Sequence, residues 1–311
     1  MSRGSDTCAL QTPSVVSAGT ISVTGALLRL SKPGIVLAET VACLAGILLS
    51  SPAHIEFKVI FCTLLSLIMA ASGAAMANCL LEAEQDRRMP RLAERSRALD
   101  IAGKGLTLTV ALMLIGGSIL ISAICLNGLA ALLLTAGVAS YLFLYTCWLK
   151  RRSPWGVLSG GIPGALPPLV GCAASTGSIC GAPLLMSLVI FIWQPPHFWF
   201  LALRYRNQYQ QAGIPILPLT NGDRLTKCLI MFFAIALLPC TVALIGLNGF
   251  CSTGSAATAL FAGIFFPLLC HRFLYRATDY LKGYFTSLAC LGVILMAIIA
   301  ESILKMERYL P

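Results

Sequence analysis

Charge is what this sequence has least of. Of 311 residues only 11% are Asp, Glu, Lys or Arg and 58% are hydrophobic, whereas soluble domains run to about 25% charged. A water-soluble globule is excluded. Disorder and collagen-like repeats are excluded too, because the apolar residues come in long runs and the glycines follow no period. There is no C-x-x-C pair among the 13 cysteines, which is an odd number and falls mostly inside apolar runs, so they are read as small packing residues rather than metal or disulfide sites. No basic segment precedes a short apolar core and small-residue cleavage site at the N-terminus, so a cleaved signal peptide is not expected. An internal repeat is missing as well.

What is there is apolar length. Residues 59–81, 105–149, 153–203, 228–271 and 283–300 contain no Asp, Glu, Lys or Arg, and a bilayer core about 30 Å thick needs roughly 20 apolar residues of helix. The three longest windows must each fold back once. With 33–52, interrupted only by Glu39, the reading is an all-α polytopic membrane protein of nine spans: 33–52, 59–81, 104–123, 128–148, 158–176, 183–203, 228–247, 256–275 and 284–304. Turn-forming clusters such as Asn127-Gly128, Ser175-Thr176-Gly177 and Asn248-Gly249 separate them. Residues 1–27, rich in Ser, Thr and Gly, read as a flexible cytoplasmic tail; 28–305 as one membrane domain; 306–311 as a short C-terminal tail.

The formal net charge of +10 would suit nucleic acid or a membrane orientation, and its distribution decides. With nine helices, 19 basic residues fall on one face and Lys58, Lys305 and Arg308 on the other. By the positive-inside rule the N-terminus is cytoplasmic and the C-terminus opposite; a bacterial inner membrane is the expected location. No nucleic acid is needed to explain the basic balance.

Polar groups near the spans then require explanation. Asn78, Glu82 and Asp86 are spaced i, i+4, i+8 and line one helical face over roughly 12 Å. Oxygen ligands in such a row suit a hard cation such as Mg²⁺, and Arg91 and Arg95 follow after Pro90, so a diphosphate site is one reading. A solvated, charged helix end is the other. Lys150-Arg151-Arg152, preceded by Tyr141, Tyr145 and Trp148, matches a stop-transfer cluster with an aromatic belt. Gly160-Gly161-Ile162-Pro163-Gly164 with Pro167-Pro168 predicts a broken span beside a cavity, and Pro195-Pro196 sits where an uninterrupted helix would not want it. His197 suits either a functional site or a hydrogen bond to a neighbouring helix. Glu39 suits either a cavity wall or contact with the basic surface.

Several of these segments resemble one family. Leu30-Ser31-Lys32-Pro33, the Asn-x3-Glu-x3-Asp-x2-Met-x-Arg motif at 78–91, Tyr145 to Arg151, Gly160-Gly161 through Gly171, Trp193-Gln194-Pro195-Pro196-His197-Phe198 and Tyr209 to Pro218 are similar to the protoheme IX farnesyltransferases (heme O synthases) of the UbiA superfamily. The resemblance covers about residues 29–300, in the family's order. It implies nine helices around a central cavity, with a diphosphate site under the loops joining spans two to three and six to seven. It implies transfer of farnesyl from farnesyl diphosphate to a vinyl carbon of protoheme IX with water added, giving heme O. Carried over, Asn78, Glu82 and Asp86 are the catalytic metal motif for Mg²⁺; Lys32, Arg91, Arg95, Lys150 and Arg151 bind diphosphate; His197 is the candidate heme contact. Partners implied are the bilayer and a heme A synthase or terminal oxidase assembly factors. The sequence departs from the family at Gln208, where relatives place an acidic residue before the Tyr. Prenylation of a quinone precursor or chlorophyllide is the runner-up, and a transporter the rival of another class.

Overall fold

A computed structural model describes residues 21–50, 56–248 and 252–309, so the expected tail at 1–20 and the turn at Gly249 lie outside the described residues. The chain runs α1 (Val23–Leu30), α2 (Pro33–Leu49), α3 (Phe57–Leu81), α4 (Ala83–Arg87), α5 (Ala93–Ala102), α6 (Lys104–Cys125) and α7 (Gly128–Ala139). It continues through a π-helical stretch, Ser140–Leu149, into α8 (Lys150–Arg152), α9 (Gly156–Ala165), α10 (Pro167–Thr176), α11 (Gly181–Arg204), α12 (Arg206–Gln211) and α13 (Leu217–Thr220). The long helices α14 (Gly222–Asn248), α15 (Thr253–His271) and α16 (Tyr280–Tyr309) complete it. Among the described residues there is no strand. Among the described residues eight helical segments are long and apolar enough to cross a membrane, and α1 with α2, bent by 52°, makes a ninth if taken as one span.

The bend corrects the first span. Residues 23–27 are helix rather than tail: Ser22 Oγ accepts from Gly25 N at 3.1 Å as an N-cap, and Ala26 and Leu30 are fully buried against Met76, Cys79 and Leu99. Short Ser/Gly-rich composition hid an amphipathic turn. At the other end α16 continues to Tyr309, so the expected C-terminal tail begins as helix. Span five is broken as expected, at Leu166 between α9 and α10. Span six is not broken: α11 runs continuously through Pro195 and Pro196, as transmembrane helices tolerate when neighbouring helices enclose them.

Small residues let the inner helices approach. A Cβ on Gly46 of α2 would lie 2.1 Å from the Pro168 carbonyl oxygen of α10, and one on Gly171 would lie 2.3 Å from the Cys43 carbonyl oxygen. Such backbone-to-backbone contact is the usual means of tight helix packing in lipid. By contrast Leu112, Met113, Leu120 and Ile124 of α6 are each more than half exposed, as a lipid-facing surface requires.

Candidate functional site

The site forms where α3 ends. Helix α3 stops at Leu81, and Glu82 sits outside helical geometry at φ −102°, ψ 6°. The ladder nevertheless carries across the kink, with Glu82 N donating to Asn78 O and Asp86 N to Glu82 O, both at 2.9 Å. The three predicted oxygens therefore keep a common face. All three side chains are buried, at 1%, 4% and 4% exposure, which rules out a solvated helix end. Three basic residues from three separate elements converge on them. Lys32 Nζ donates to Asn78 Oδ1 at 2.6 Å, Lys150 Nζ pairs with Glu82 Oε1 at 2.5 Å, and Arg95 pairs with Asp86.

Each basic residue is aimed by a local feature. Lys32 occupies left-handed backbone, φ 55°, at the α1–α2 bend before Pro33. A non-glycine residue there costs about 1–3 kcal/mol and persists only where surroundings hold it. Here Asn78 and the Tyr141 hydroxyl, 3.2 Å from Nζ, do so. The π-helical stretch shifts register before Lys150, whose ammonium lies 5.4 Å from the Tyr145 ring centre; π-turns of this kind often mark functional sites. Asn78 itself is fixed by donating from Nδ2 to Thr146 Oγ1 at 3.0 Å. Tyr141 and Tyr145 thus belong to the site rather than to an aromatic belt, and Thr146 was missed. Exposed Trp148 keeps the belt role.

Burial works against ionisation of both carboxylates, with different results. At Glu82 the Lys150 ammonium overcomes it and holds the carboxyl below the usual carboxylate range. At Asp86 burial prevails over the Arg95 guanidinium and lifts the carboxyl above that range.

A second segment closes the site. Arg91 donates to the Tyr209 hydroxyl at 2.9 Å, lies 5.1 Å from the ring centres of Tyr205 and Tyr209, and gives its backbone N–H to Gln208 Oε1 at 3.3 Å. Met89, buried among Tyr209, Ala212 and Ile214, seals this junction. Arg151 takes no part, being exposed and donating to the Leu81 carbonyl at 2.5 Å. Nor does His197 line the cavity below. It stacks between Trp193 and Tyr284, with centroids 4.5 and 4.3 Å away, and its Nδ1 lies 2.7 Å from Ser287 Oγ. That cavity, about 210 Å³, is lined by Lys32, Tyr141, Glu39 and Gln194, with Pro163 and Pro167 of the broken span.

The donor set can be tested against what it would hold. Two carboxylates and one amide oxygen, with no cluster of three or more His, Cys, Asp or Glu among the described residues, suit Mg²⁺, which takes one or two carboxylates and completes its shell with phosphates and water. Unpartnered polar atoms point the same way. Among the described residues seven buried side-chain polar atoms lack a hydrogen bond, and four lie at 85–96: the donors Arg91 Nε, Arg95 Nε and Ser96 Oγ and the acceptor Gln85 Oε1. Buried guanidinium N–H groups left unpaired are costly unless an anion completes them.

A sequence profile described as the UbiA prenyltransferase family matches residues 40–300. The chain belongs to the UbiA prenyltransferase family. It is 42% identical over 238 residues to a Geotalea uraniireducens protein named protoheme IX farnesyltransferase, covering 76% of this chain and 92% of that one. It is 33% identical to an Aquifex aeolicus protein of the same name, covering 89% and 94%. A solved UbiA homologue from Archaeoglobus fulgidus bound to DMAPP and Mg²⁺ superposes with a TM-score of 0.66 at 12% identity, over 88% of this chain and 99% of that chain. Such a likeness carries the fold: this UbiA-family chain is an integral, multi-pass membrane protein of that architecture.

Proposed function

We propose that this UbiA-family enzyme transfers a farnesyl group from farnesyl diphosphate to a vinyl group of protoheme IX, releasing diphosphate and forming heme O. The observation that carries the reading is the pairing of a buried oxygen row with unpartnered guanidinium N–H groups, joined through Lys32 to an apolar cavity. The relatives named protoheme IX farnesyltransferase support the acceptor.

The barrier lies in separating an allylic cation from diphosphate, so the site must take up charge on the leaving group. Asn78, Glu82 and Asp86 would hold Mg²⁺, which when bound offsets phosphate charge as a Lewis acid. Arg95 and Lys150 neutralise the two carboxylates in this structure and Lys32 donates to the Asn78 amide oxygen, and diphosphate offers the same cations a substitute. Arg91, on the first segment and clamped by Tyr205 and Tyr209 of the second, presents its unpartnered Nε. Apolar cavity walls keep water from the chain end where the cation forms. His197, tied into the α11–α16 contact through Ser287, serves to set that helix pair rather than to touch heme. The basic face is the cytoplasmic one, in a bacterial inner membrane, and a heme A synthase is the expected consumer of the product.

The test is direct. Purified protein incubated with protoheme IX, farnesyl diphosphate and Mg²⁺ should yield heme O by mass spectrometry. No product where a related enzyme works, or turnover only with a quinone precursor, overturns the assignment.

A further inference from the structure

Two polar side chains stand in the cavity wall below the basic face, and only one has a partner. Gln194 Nε2 donates to the Gly161 carbonyl at 3.3 Å, over Gly164, where a Cβ would come within 2.2 Å of that nitrogen. Glu39, half-buried on α2, makes no hydrogen bond or ion-pair contact among the described residues. Its neighbours in the wall include Val36, Leu67 and Ala70. An ionisable group among apolar ones within a span costs free energy and is rare without a function. Nothing in the packing requires this one.

Its depth suggests its use. Lys32 and Glu39 lie seven residues, two turns, apart along α2, which is roughly 10 Å at 1.5 Å per residue. Lys32 and Tyr141 line the same cavity, and Lys32 reaches the oxygen row through Asn78. Moving inward from the diphosphate, the breaking C–O bond comes first, then the new C–C bond, then the ring-attached vinyl carbon. Glu39 lies on that inward side of Lys32, in the wall that an acceptor placed below the diphosphate would meet.

Resting on the farnesyl-to-heme reading above, we propose that Glu39 is the base for the water-addition half of the reaction. The C1–O bond of the prenyl donor breaks, its electron pair leaving with diphosphate. The vinyl π pair bonds the terminal vinyl carbon to C1, which leaves the ring-attached vinyl carbon cationic. A water oxygen bonds to that carbon, and its proton passes to the Glu39 carboxylate. No oxidant or reductant is involved. The protonated Glu39 returns the proton to water as the product leaves.

Without the base, the cation should instead shed a carbon-bound proton, giving a farnesylated heme lighter than heme O by one water. The experiment compares both products by mass spectrometry in wild type, Glu39→Gln and Glu39→Asp, with farnesyl diphosphate affinity measured alongside. Glu39→Gln is expected to slow formation of the hydrated product by roughly 10²-fold, the scale of general-base catalysis, to shift the ratio toward the dehydrated product, and to leave donor affinity unchanged. Glu39→Asp, with its carboxylate drawn back by one methylene, should fall between. A wild-type rate and product ratio in Glu39→Gln overturns the proposal, and so does loss of both products together with donor affinity, which marks a structural role. Should the glutamine variant not fold, a wild-type ratio in Glu39→Asp overturns it equally. A wild-type protein that makes no farnesylated heme fails before any variant is compared, and overturns the reading on which the proposal rests.

Discussion

The two connecting segments that meet over the cavity are built for different tasks. The segment at 82–95 carries charge: Glu82 and Asp86 are buried and each holds one cation. The segment at 205–211 carries shape. Its side chains toward the first are the aromatic rings of Tyr205 and Tyr209 and the amide of Gln208, and what they hold is Arg91 and its backbone. On the function proposed above, the first side would hold metal and diphosphate, and the second positions Arg91. With Gln208 in place of a carboxylate, nearly all of the metal-binding capacity would rest on the first.

That asymmetry is broken most severely by Asp86→Ala. The variant should lose prenyl transfer by about 10³-fold or more, since one of the proposed metal oxygens disappears and the largely buried Arg95 loses its carboxylate. Membrane insertion should be unaffected, because Asp86 lies beyond the end of α3. Turnover at the wild-type level, with normal recovery from the membrane fraction, would remove Asp86 from the site.

Lys150→Met should come next. It strips Glu82 of its partner while keeping side-chain length, and breaking a buried pair costs about 3 kcal/mol. A lowered melting temperature is expected, together with a rise in KM for farnesyl diphosphate that exceeds the fall in kcat. A variant that melts normally and binds the donor normally would mean that Glu82 is satisfied without Lys150.

Tyr209→Phe probes the shaping side. The ring and its contact with Arg91 stay, and only the hydrogen bond at 2.9 Å is lost. Hydrogen bonds to charged groups are worth about 1.5–3 kcal/mol, so the donor KM should rise roughly tenfold with kcat nearly unchanged. A kcat loss equal to that of Asp86→Ala would place Tyr209 in the chemistry instead.

Much of this was legible in the sequence, for a physical reason that also explains the rest. Spans announce themselves through uncharged length, and the row at 78–86 through helical spacing, because both are local. Residues 23–27 of α1 look like tail in the sequence because the helix's burial depends on Met76 and Leu99, distant in sequence. Lys150, Tyr141 and Tyr145 read as a membrane-surface cluster because the π-helical turn that directs them inward leaves no compositional mark. Glu39 was open between two environments, and only the cavity wall decided it.

Gln208 offers the finest test of the comparison. Its Oε1 already accepts from the Arg91 backbone N–H at 3.3 Å, a bond that a glutamate oxygen of the same reach can keep. Gln208→Glu therefore adds a carboxylate to the shaping segment without dismantling it. If that segment faces the metal and diphosphate held by the other, the added charge should lower the Mg²⁺ concentration needed for half-maximal turnover. The shift should be about two- to fivefold, since a single carboxylate near a partly hydrated Mg²⁺ contributes modestly. It should vanish near saturation, where metal is bound in either protein, and kcat should then coincide. Superimposable Mg²⁺ titrations would show that position 208 serves only the Arg91 backbone, and the division between a charged and a shaping segment would be complete.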